Sequence, residues 1–203
     1  MKKIAAALLL SATISAPVFA ASQGGYVSIE SGIVGHNKAQ SQLSISTTTF
    51  LENPSITFGG GYRFNQIAGI EAGYLFAGDS TIKHDFGTHT ITEDLKISAL
   101  QLALVGTFPI SSKFDAVAKL GAANVKLDYS ASINNGYSFA PGFVTSASVS
   151  KTNLMLALGG LYNITPHFGI RFQYQDFGKI KLGIVSAQDI SVTAFTVGML
   201  YSF

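Results

Sequence analysis

The 203-residue sequence contains no cysteine and no tryptophan, and only 12% of its residues are charged. The absence of cysteine excludes disulfide scaffolds, thiolate metal sites, cysteine nucleophiles and the usual N-terminal lipid attachment of a lipoprotein. Soluble domains are roughly 25% charged, so this chain carries about half the usual charge. A formal net charge of +2 leaves no basic surplus for binding nucleic acid. A hydrophobic content of 47% excludes a disordered chain, because disorder requires few apolar residues and high charge.

The beginning of the chain has the layout of a secretory signal peptide. Lys2 and Lys3 precede an apolar stretch over residues 4–14, and small residues follow up to Ala20. We predict that residues 1–20 are a cleaved signal peptide and that residues 21–203 form one domain. The predicted mature domain is formally neutral, because removal of two of the 13 basic residues balances the 11 acidic ones.

Apolar residues recur at every second position in eight segments of the remaining chain. Such alternation is typical of a β-strand that has one apolar and one polar face. No run reaches the ~18 consecutive apolar residues of a membrane helix, which excludes a helical membrane protein. The predicted strands cover residues 27–33, 56–64, 70–76, 100–108, 114–122, 154–162, 168–174 and 195–203.

A soluble β-sandwich would also contain strands with one apolar face. The lengths of the connections and the positions of the aromatic residues distinguish it from a membrane barrel. Short connections at 65–66, 109–113 and 163–167 alternate with long ones at 35–54, 78–94, 129–150 and 178–189. Outer-membrane barrels have short periplasmic turns and long extracellular loops, with aromatic girdles at both interfaces. Tyr62, Phe64 and Phe108 lie at predicted strand ends, as a girdle requires. The sequence therefore predicts an all-β fold, an eight-stranded antiparallel up-and-down transmembrane β-barrel over residues 21–203.

Three segments resemble the outer membrane protein A family of eight-stranded barrels. Residues 59–78 (GGGYRFNQIAGIEAGYLFAG) are similar to the second and third strands of that barrel, and residues 99–111 and 159–178 to later strands and turns. Without a peptidoglycan-binding domain, the chain is more similar to the outer membrane protein X and opacity-type branches. The resemblance implies the cell outer membrane of a Gram-negative-type bacterium. It also implies a C-terminal signal for the barrel-assembly machinery, formed by Phe195, Val197, Met199, Tyr201 and Phe203.

Strand phase predicts that a set of charged side chains points into the barrel, because a charge on the lipid side costs roughly 2–4 kcal/mol at the bilayer midplane. The resemblance implies charged pairs at Glu71, Lys119 and Arg171. Eight strands leave an interior just wide enough for side chains. We therefore predict a self-neutralising plug, with an ion path or gate as the alternative. The predicted interior charged cluster consists of Glu30, Arg63, Glu71, Lys119 and Arg171.

The histidines raise the alternative of a lipid A-modifying enzyme. His36, together with Asp79 and Ser80, resembles the residue set of an outer-membrane palmitoyl transferase, in which a base near a hydroxyl serves acyl transfer. The amphipathic helix that precedes that enzyme's barrel is not visible here. We predict no catalytic, cofactor or metal site, and we keep lipid A modification and narrow-channel activity as alternatives.

The outer loops are the segments in which a specific role is expected. Residues 41–49 and 141–150 are rich in serine and threonine and partly alternating, which favours strands that protrude above the membrane. Exposed strand edges recruit partners by strand addition; the alternative is a solvated rim without a partner. We predict a monomeric, structural or adhesion-like surface protein. Its predicted partners are outer-membrane lipid, lipopolysaccharide, the barrel-assembly machinery and a host or cell-surface ligand.

Overall fold

The computed structural model describes residues 23–37, 53–85, 88–134, 145–181 and 189–203. These ranges contain no helix long and apolar enough to cross a membrane. They form nine β-strands: β1 (Gly24–Asn37), β2 (Asn53–Arg63), β3 (Ala68–Ala77), β4 (Ser80–Asp85), β5 (Thr90–Pro109), β6 (Phe114–Ile133), β7 (Ser146–Asn163), β8 (Phe168–Lys181) and β9 (Asp189–Ser202).

Eight of these strands close into a barrel in which each strand is antiparallel to both neighbours. The order around the barrel is β1, β2, β3, β5, β6, β7, β8, β9, and β9 pairs with β1 again. The predicted eight-stranded up-and-down barrel is confirmed. All eight segments with period-two alternation are strands, because each one offers an apolar face to lipid and a second face to the interior.

All four predicted long connections contain some strand residues, and two of them differ most from the prediction. The connection at 78–94 contains β4, which pairs with β5 from Ser80↔Leu95 to Asp85↔Thr90. The connection at 129–150 is shortened because β6 runs to Ile133 and pairs with β7 as far as Ser146. Residues 146–150 of the predicted protruding segment are thus strand. Residues 41–49 and 141–144 lie outside the described residues.

The three periplasmic turns share one hydrogen-bonding pattern. In the first turn, the Phe64 amide donates to the Ala68 carbonyl oxygen at 2.9 Å, and the Asn65 side chain accepts the amides of Ile67 and Ala68, both at 2.8 Å. Ser111 and Thr165 fill the role of Asn65 in the other two turns. A short polar side chain that binds backbone amides ahead of it is a common way to fix a tight turn.

The outward face of the barrel changes from apolar in the membrane band to polar in the extracellular part. Within the band, the outward side chains are apolar and exposed to lipid, as shown by Leu154 at 67% and Leu158 at 70% exposure. Above the band, Lys96 and Lys126 point outward and are exposed. There the interior is apolar, and Ile97 is buried. The extracellular part therefore folds as a water-soluble sheet does, with its apolar side chains inside.

A bulge in β8 sets the direction of the side chains at the outer end of the barrel. The β8–β9 register shifts between Asp176 and Lys179. Gly178 adopts a φ of 75°, and its amide donates to Asp176 Oδ1 at 2.8 Å. Bulges of this kind use glycine because a left-handed conformation is strained for other residues. As a result Phe177 and Ile180 are both buried in the interior.

Candidate functional site: the lumen and the outer sheet

Two apolar clusters occupy the interior of the barrel, one toward each end. The periplasmic cluster consists of Tyr26, Val105, Val117, Leu161 and Leu200. The outer cluster is larger and consists of Val34, Leu75, Ile97, Ala99, Ala103, Ala123, Val125, Leu127, Met155, Phe177, Ile180, Val192 and Ala194. Val105 and Leu161 belong to the periplasmic cluster and are buried among apolar side chains.

Charged side chains meet between the two clusters, with Arg171 at the centre. Its Nε donates to Glu30 Oε1 at 2.8 Å, and its Nη1 donates to Glu71 Oε2 at 2.6 Å. Its Nη2 contacts Glu30 as well and donates to Ser28 Oγ at 3.0 Å. Lys119 Nζ donates to Glu71 Oε1 at 2.6 Å. The four charged side chains, which we call the ion network, balance two positive against two negative charges.

Neutral side chains supply further hydrogen bonds to the carboxylates of the ion network. The Tyr26 hydroxyl donates to Glu71 Oε2 at 2.9 Å. Glu30 Oε2 accepts Gln173 Nε2 at 2.5 Å and Thr196 Oγ1 at 2.6 Å. These neutral partners occupy inward positions, as the alternation of their strands predicts. Their polarity alone does not distinguish them from other inward residues, so the sequence does not identify them as partners of the carboxylates.

Arg63, the fifth residue of the predicted cluster, lies outside the ion network. Its guanidinium is 4.9 Å from the centroid of the Tyr26 ring, and its Nη1 donates to Ser202 Oγ at 3.1 Å. Toward the same end, Asn163 Nδ2 donates to Asp115 Oδ2 at 2.8 Å. Four of the five charged residues therefore meet, and Arg63 interacts with an aromatic ring and a hydroxyl instead.

The residues considered for lipid A chemistry lie on different parts of the barrel wall. The His36 backbone pairs with Val192 of β9, whereas Ser80 pairs with Leu95 of β5. The Asp79 carboxylate forms an ion pair with Lys96 at 3.1 Å. The side chains of His36 and Ser80 are outside the described part of the structure. Within the described ranges, no group of three or more His, Asp or Glu residues could hold a metal ion.

The outer sheet is the second candidate site; it comprises β4 and residues 90–98 of β5, 124–133 of β6 and 146–153 of β7. Polar contacts cross its strands. Thr81 Oγ1 donates to Asp94 Oδ1 at 2.6 Å, and Asn124 Nδ2 donates to Thr152 Oγ1 at 3.0 Å. The Tyr129 hydroxyl donates to Glu93 Oε1 at 3.0 Å. Partial burial, together with the hydrogen bond and charge of Glu93, raises the pKa of Tyr129 to about 12.

One edge of the outer sheet borders a gap between β7 and β8. The ladder between these strands extends only from Asn163↔Gly169 to Leu156↔Asp176. Beyond it, side chains connect the strands: Asn153 Nδ2 donates to the carbonyl oxygens of Phe177 and Lys179 at 3.0 and 3.2 Å. Lys151 Nζ donates to the Lys179 carbonyl at 2.9 Å. We call this described region, in which side chains replace the backbone ladder, the β7–β8 gap.

Known proteins with similar sequences are outer-membrane barrels. The family model of the outer membrane protein beta-barrel domain matches residues 6–203. Outer membrane protein A of Yersinia pseudotuberculosis is 30% identical over 115 residues, which are 57% of this chain and 30% of that protein. The chain thus matches less than a third of the length of this curated relative.

Solved structures with the same architecture come from several bacteria. Ail of Yersinia pestis, in complex with the heparin analogue sucrose octasulfate, has a TM-score of 0.58 at 19% identity, covering 90% of this chain and 99% of that one. Neisserial surface protein A has a TM-score of 0.58 at 16% identity, covering 89% and 97%. OprG of Pseudomonas aeruginosa has a TM-score of 0.53 at 13% identity, covering 92% and 99%. At these identities the likeness shows the fold. The match of the family model to residues 6–203 shows that this chain belongs to the family of outer membrane protein beta-barrel domains.

Proposed function

We propose that this protein is a non-catalytic outer-membrane barrel that presents its outer sheet to other cells or macromolecules. The observation that carries the proposal is the length of three neighbouring strands. β5 and β6 have 20 residues each and β7 has 18, whereas about 9–11 residues suffice to cross a bilayer. Roughly half of each strand is therefore available above the membrane, where it supports a folded interaction surface.

The packing of the lumen supports a structural role for the barrel instead of a conducting one. A neutral ion network lies between two apolar clusters, and the side chains of these three layers are buried. A narrow interior filled by side chains leaves no continuous path for ions. In planar lipid bilayers we expect no steady conductance from the purified protein. A reproducible open level that disappears when the protein is omitted would contradict the closed lumen.

Shortening the outer sheet tests the surface role directly. Leu127 and Val149 are paired across β6 and β7, so residues 128–148 can be replaced by a two-residue Asn-Gly turn, which suits a hairpin. Bacteria that display the shortened barrel should adhere less to cultured cells and to immobilised matrix than bacteria that display the full chain. Equal surface abundance and the same heat-dependent gel mobility are the control. Unchanged adhesion at equal abundance would contradict the surface role.

Lipid A is the substrate on which we test whether the protein has catalytic activity. Lipid A from cells with and without the protein should give the same mass spectrum. A mass difference that corresponds to acyl transfer or removal, and that is lost in a His36→Ala variant, would favour the enzymatic alternative.

Export and lipid contact complete the proposal. Residues 1–20 act as a signal peptide, so N-terminal sequencing of the outer-membrane form should begin at Ala21. The apolar outward band contacts outer-membrane lipid, and the exposed polar rim above it contacts lipopolysaccharide. A mature form that still begins at Met1 would exclude cleavage.

A further inference from the structure

A groove lies on the lipid-facing surface of the barrel, over the strands that close it. Side chains of β1 and β9 form its floor, and aromatic rings of β2 and β8 stand on either side. Its volume of about 520 Å³ is within the range of ligand sites. We call it the β1–β9 groove; the side chains that line it are Val27, Ile29, Phe58, Phe168, Met199 and Tyr201.

The strand register places the β1–β9 groove in the periplasmic half of the membrane band. Phe168 is the first residue of β8, directly after the third periplasmic turn, and it pairs with Tyr201. Ile29 pairs with Met199 farther into the band, and both side chains are exposed. Because the outward face of a membrane barrel contacts lipid, the groove opens toward the inner leaflet of the bilayer.

An apolar lining alone does not select an occupant inside a membrane. Lipid tails are as apolar as leucine, so an acyl chain that moves from bulk lipid into the groove gains little from the hydrophobic effect. A chain that fits the groove does gain van der Waals contacts with Ile29 and Met199 on its floor. Selection of one lipid over another therefore depends on polar groups at the end of the groove.

His167 supplies a polar group at the periplasmic end of the groove. It is exposed, it precedes Phe168, and its ring centroid is 6.3 Å from that of Tyr201. Its Nδ1 is 2.9 Å from the Ser202 carbonyl oxygen. Because a carbonyl oxygen only accepts, Nδ1 carries the proton of the neutral ring, and Nε2 is left as an acceptor. A headgroup with N–H donors is therefore favoured here over one without them.

We propose that the β1–β9 groove binds one phospholipid of the inner leaflet with a primary ammonium headgroup, such as ethanolamine. An acyl chain lies on the floor formed by Ile29 and Met199, and the ammonium group donates to His167 Nε2. A choline headgroup is a quaternary ammonium and has no N–H to donate. This inference rests on the proposed contact between the outward band and lipid, and it specifies the class of lipid and its place on the barrel.

The test uses the full barrel in nanodiscs and lipids that carry a photoreactive diazirine on one acyl chain. One probe has an ethanolamine headgroup, one has a choline headgroup, and the third is lipid A. The ethanolamine probe should label Ile29 and Met199 about threefold more than the opposite wall, as one hydrogen bond of modest net strength allows. The choline probe should label both walls equally. Leu104 and Leu158 represent the opposite wall, because they are as far from the periplasmic ends of their strands as Ile29 is.

Matched variants separate the groove and the headgroup contact from a general change of the lipid-facing surface. Val27→Phe places a larger side chain on the floor of the groove, so labelling of Ile29 should fall to that of the opposite wall. Val197→Phe makes the same change on β9 outside the groove and should leave the labelling unchanged. His167→Asn keeps an N–H in place of Nδ1 but removes Nε2, so the preference for ethanolamine over choline should disappear. Unchanged heat-dependent gel mobility is the control for folding in all three variants.

Several results would overturn the inference and leave the proposed surface function intact. Equal labelling of both walls by the ethanolamine probe would mean that the groove contains only exchanging bulk lipid. Equal labelling of the groove by the ethanolamine and choline probes would exclude the bond to His167. Stronger labelling by lipid A would make the outer-leaflet lipid the occupant, and protein–protein cross-links through Met199 would make it a second copy of the chain. The surface function itself fails only if shortening the outer sheet has no effect on adhesion.

Discussion

Arg171 on β8 and Glu30 on β1 lie 141 positions apart in the sequence, and Arg171 Nε donates to Glu30 Oε1 at 2.8 Å. Both side chains are buried. Because β9 lies between β1 and β8, the contact reaches across the C-terminal strand and joins the first strand to the last but one. The hydrogen bond therefore requires the closed barrel.

Arg171→Met should lower the free energy of unfolding by about 3–5 kcal/mol, since it leaves buried carboxylates without their partner. Arg63→Met is the matched control, because Arg63 is also a buried arginine but contacts the Tyr26 ring and Ser202. Its loss should cost about 1–2 kcal/mol. Urea unfolding in lipid vesicles, followed by circular dichroism, gives both values. Equal losses would exclude the carboxylate contacts as the reason.

The sequence predicts the interior of the membrane band better than the extracellular part, for a physical reason. Within the band, only apolar side chains face lipid at low cost. The period-two alternation of apolar residues is therefore enough to predict that Glu71, Lys119 and Arg171 point inward. Above the band the outward face meets water, and both faces tolerate polar residues. The alternation is therefore weak around Tyr129 and in β4, and the sequence predicts loops there. At the Gly178 bulge the inward positions change from odd-numbered to even-numbered residues. This change depends on a backbone conformation that the alternation of apolar residues does not predict.

Asn65→Ala should destabilise the first periplasmic turn by about 1 kcal/mol, because the side chain that accepts two backbone amides is lost. The neighbouring Gln66→Ala, in the same turn, should change stability by less than about 0.5 kcal/mol. The midpoint of urea unfolding measures both. A loss as large in Gln66→Ala would mean that the turn is not fixed by the Asn65 hydrogen bonds.

Gly178→Ala should destabilise the β8 bulge by about 1–2 kcal/mol, since a φ of 75° is strained for a residue with a side chain. The added Cβ would also lie 3.2 Å from Asn153 Cβ, which borders the β7–β8 gap. Gly35→Ala is the control, because its Cβ would meet Thr193 Oγ1 at an ordinary 3.5 Å. Amide exchange in β8 should quicken in Gly178→Ala alone. The same change in both variants would exclude backbone strain as the cause.

Deletion of Phe203 should reduce assembly more than it reduces stability. The Phe203 amide donates to the Gly25 carbonyl at 3.0 Å, which is one bond of about 1 kcal/mol, but the residue also ends the proposed assembly signal. We expect a several-fold drop in heat-modifiable barrel in the outer membrane, with unfolded protein in the periplasm. Refolding into detergent micelles in vitro should be nearly unchanged. Poor refolding in vitro would assign the effect to stability, and normal assembly in cells would exclude the signal.

Tyr129 makes the outer sheet sensitive to alkaline pH. Its folded-state pKa of about 12 lies above the ordinary value of about 10, so folding favours the protonated phenol that donates to Glu93. The resulting stability is fully present below pH 10 and is lost as the pH rises through 12. The difference in absorbance at 295 nm between the parent protein and Tyr129→Phe should titrate with a midpoint near pH 12. Amide exchange in the outer sheet should quicken between pH 10 and 12 in the parent protein, beyond the intrinsic rise that unstructured control peptides show. Tyr129→Phe should lack this excess, and a midpoint near pH 10 would exclude the contact with Glu93.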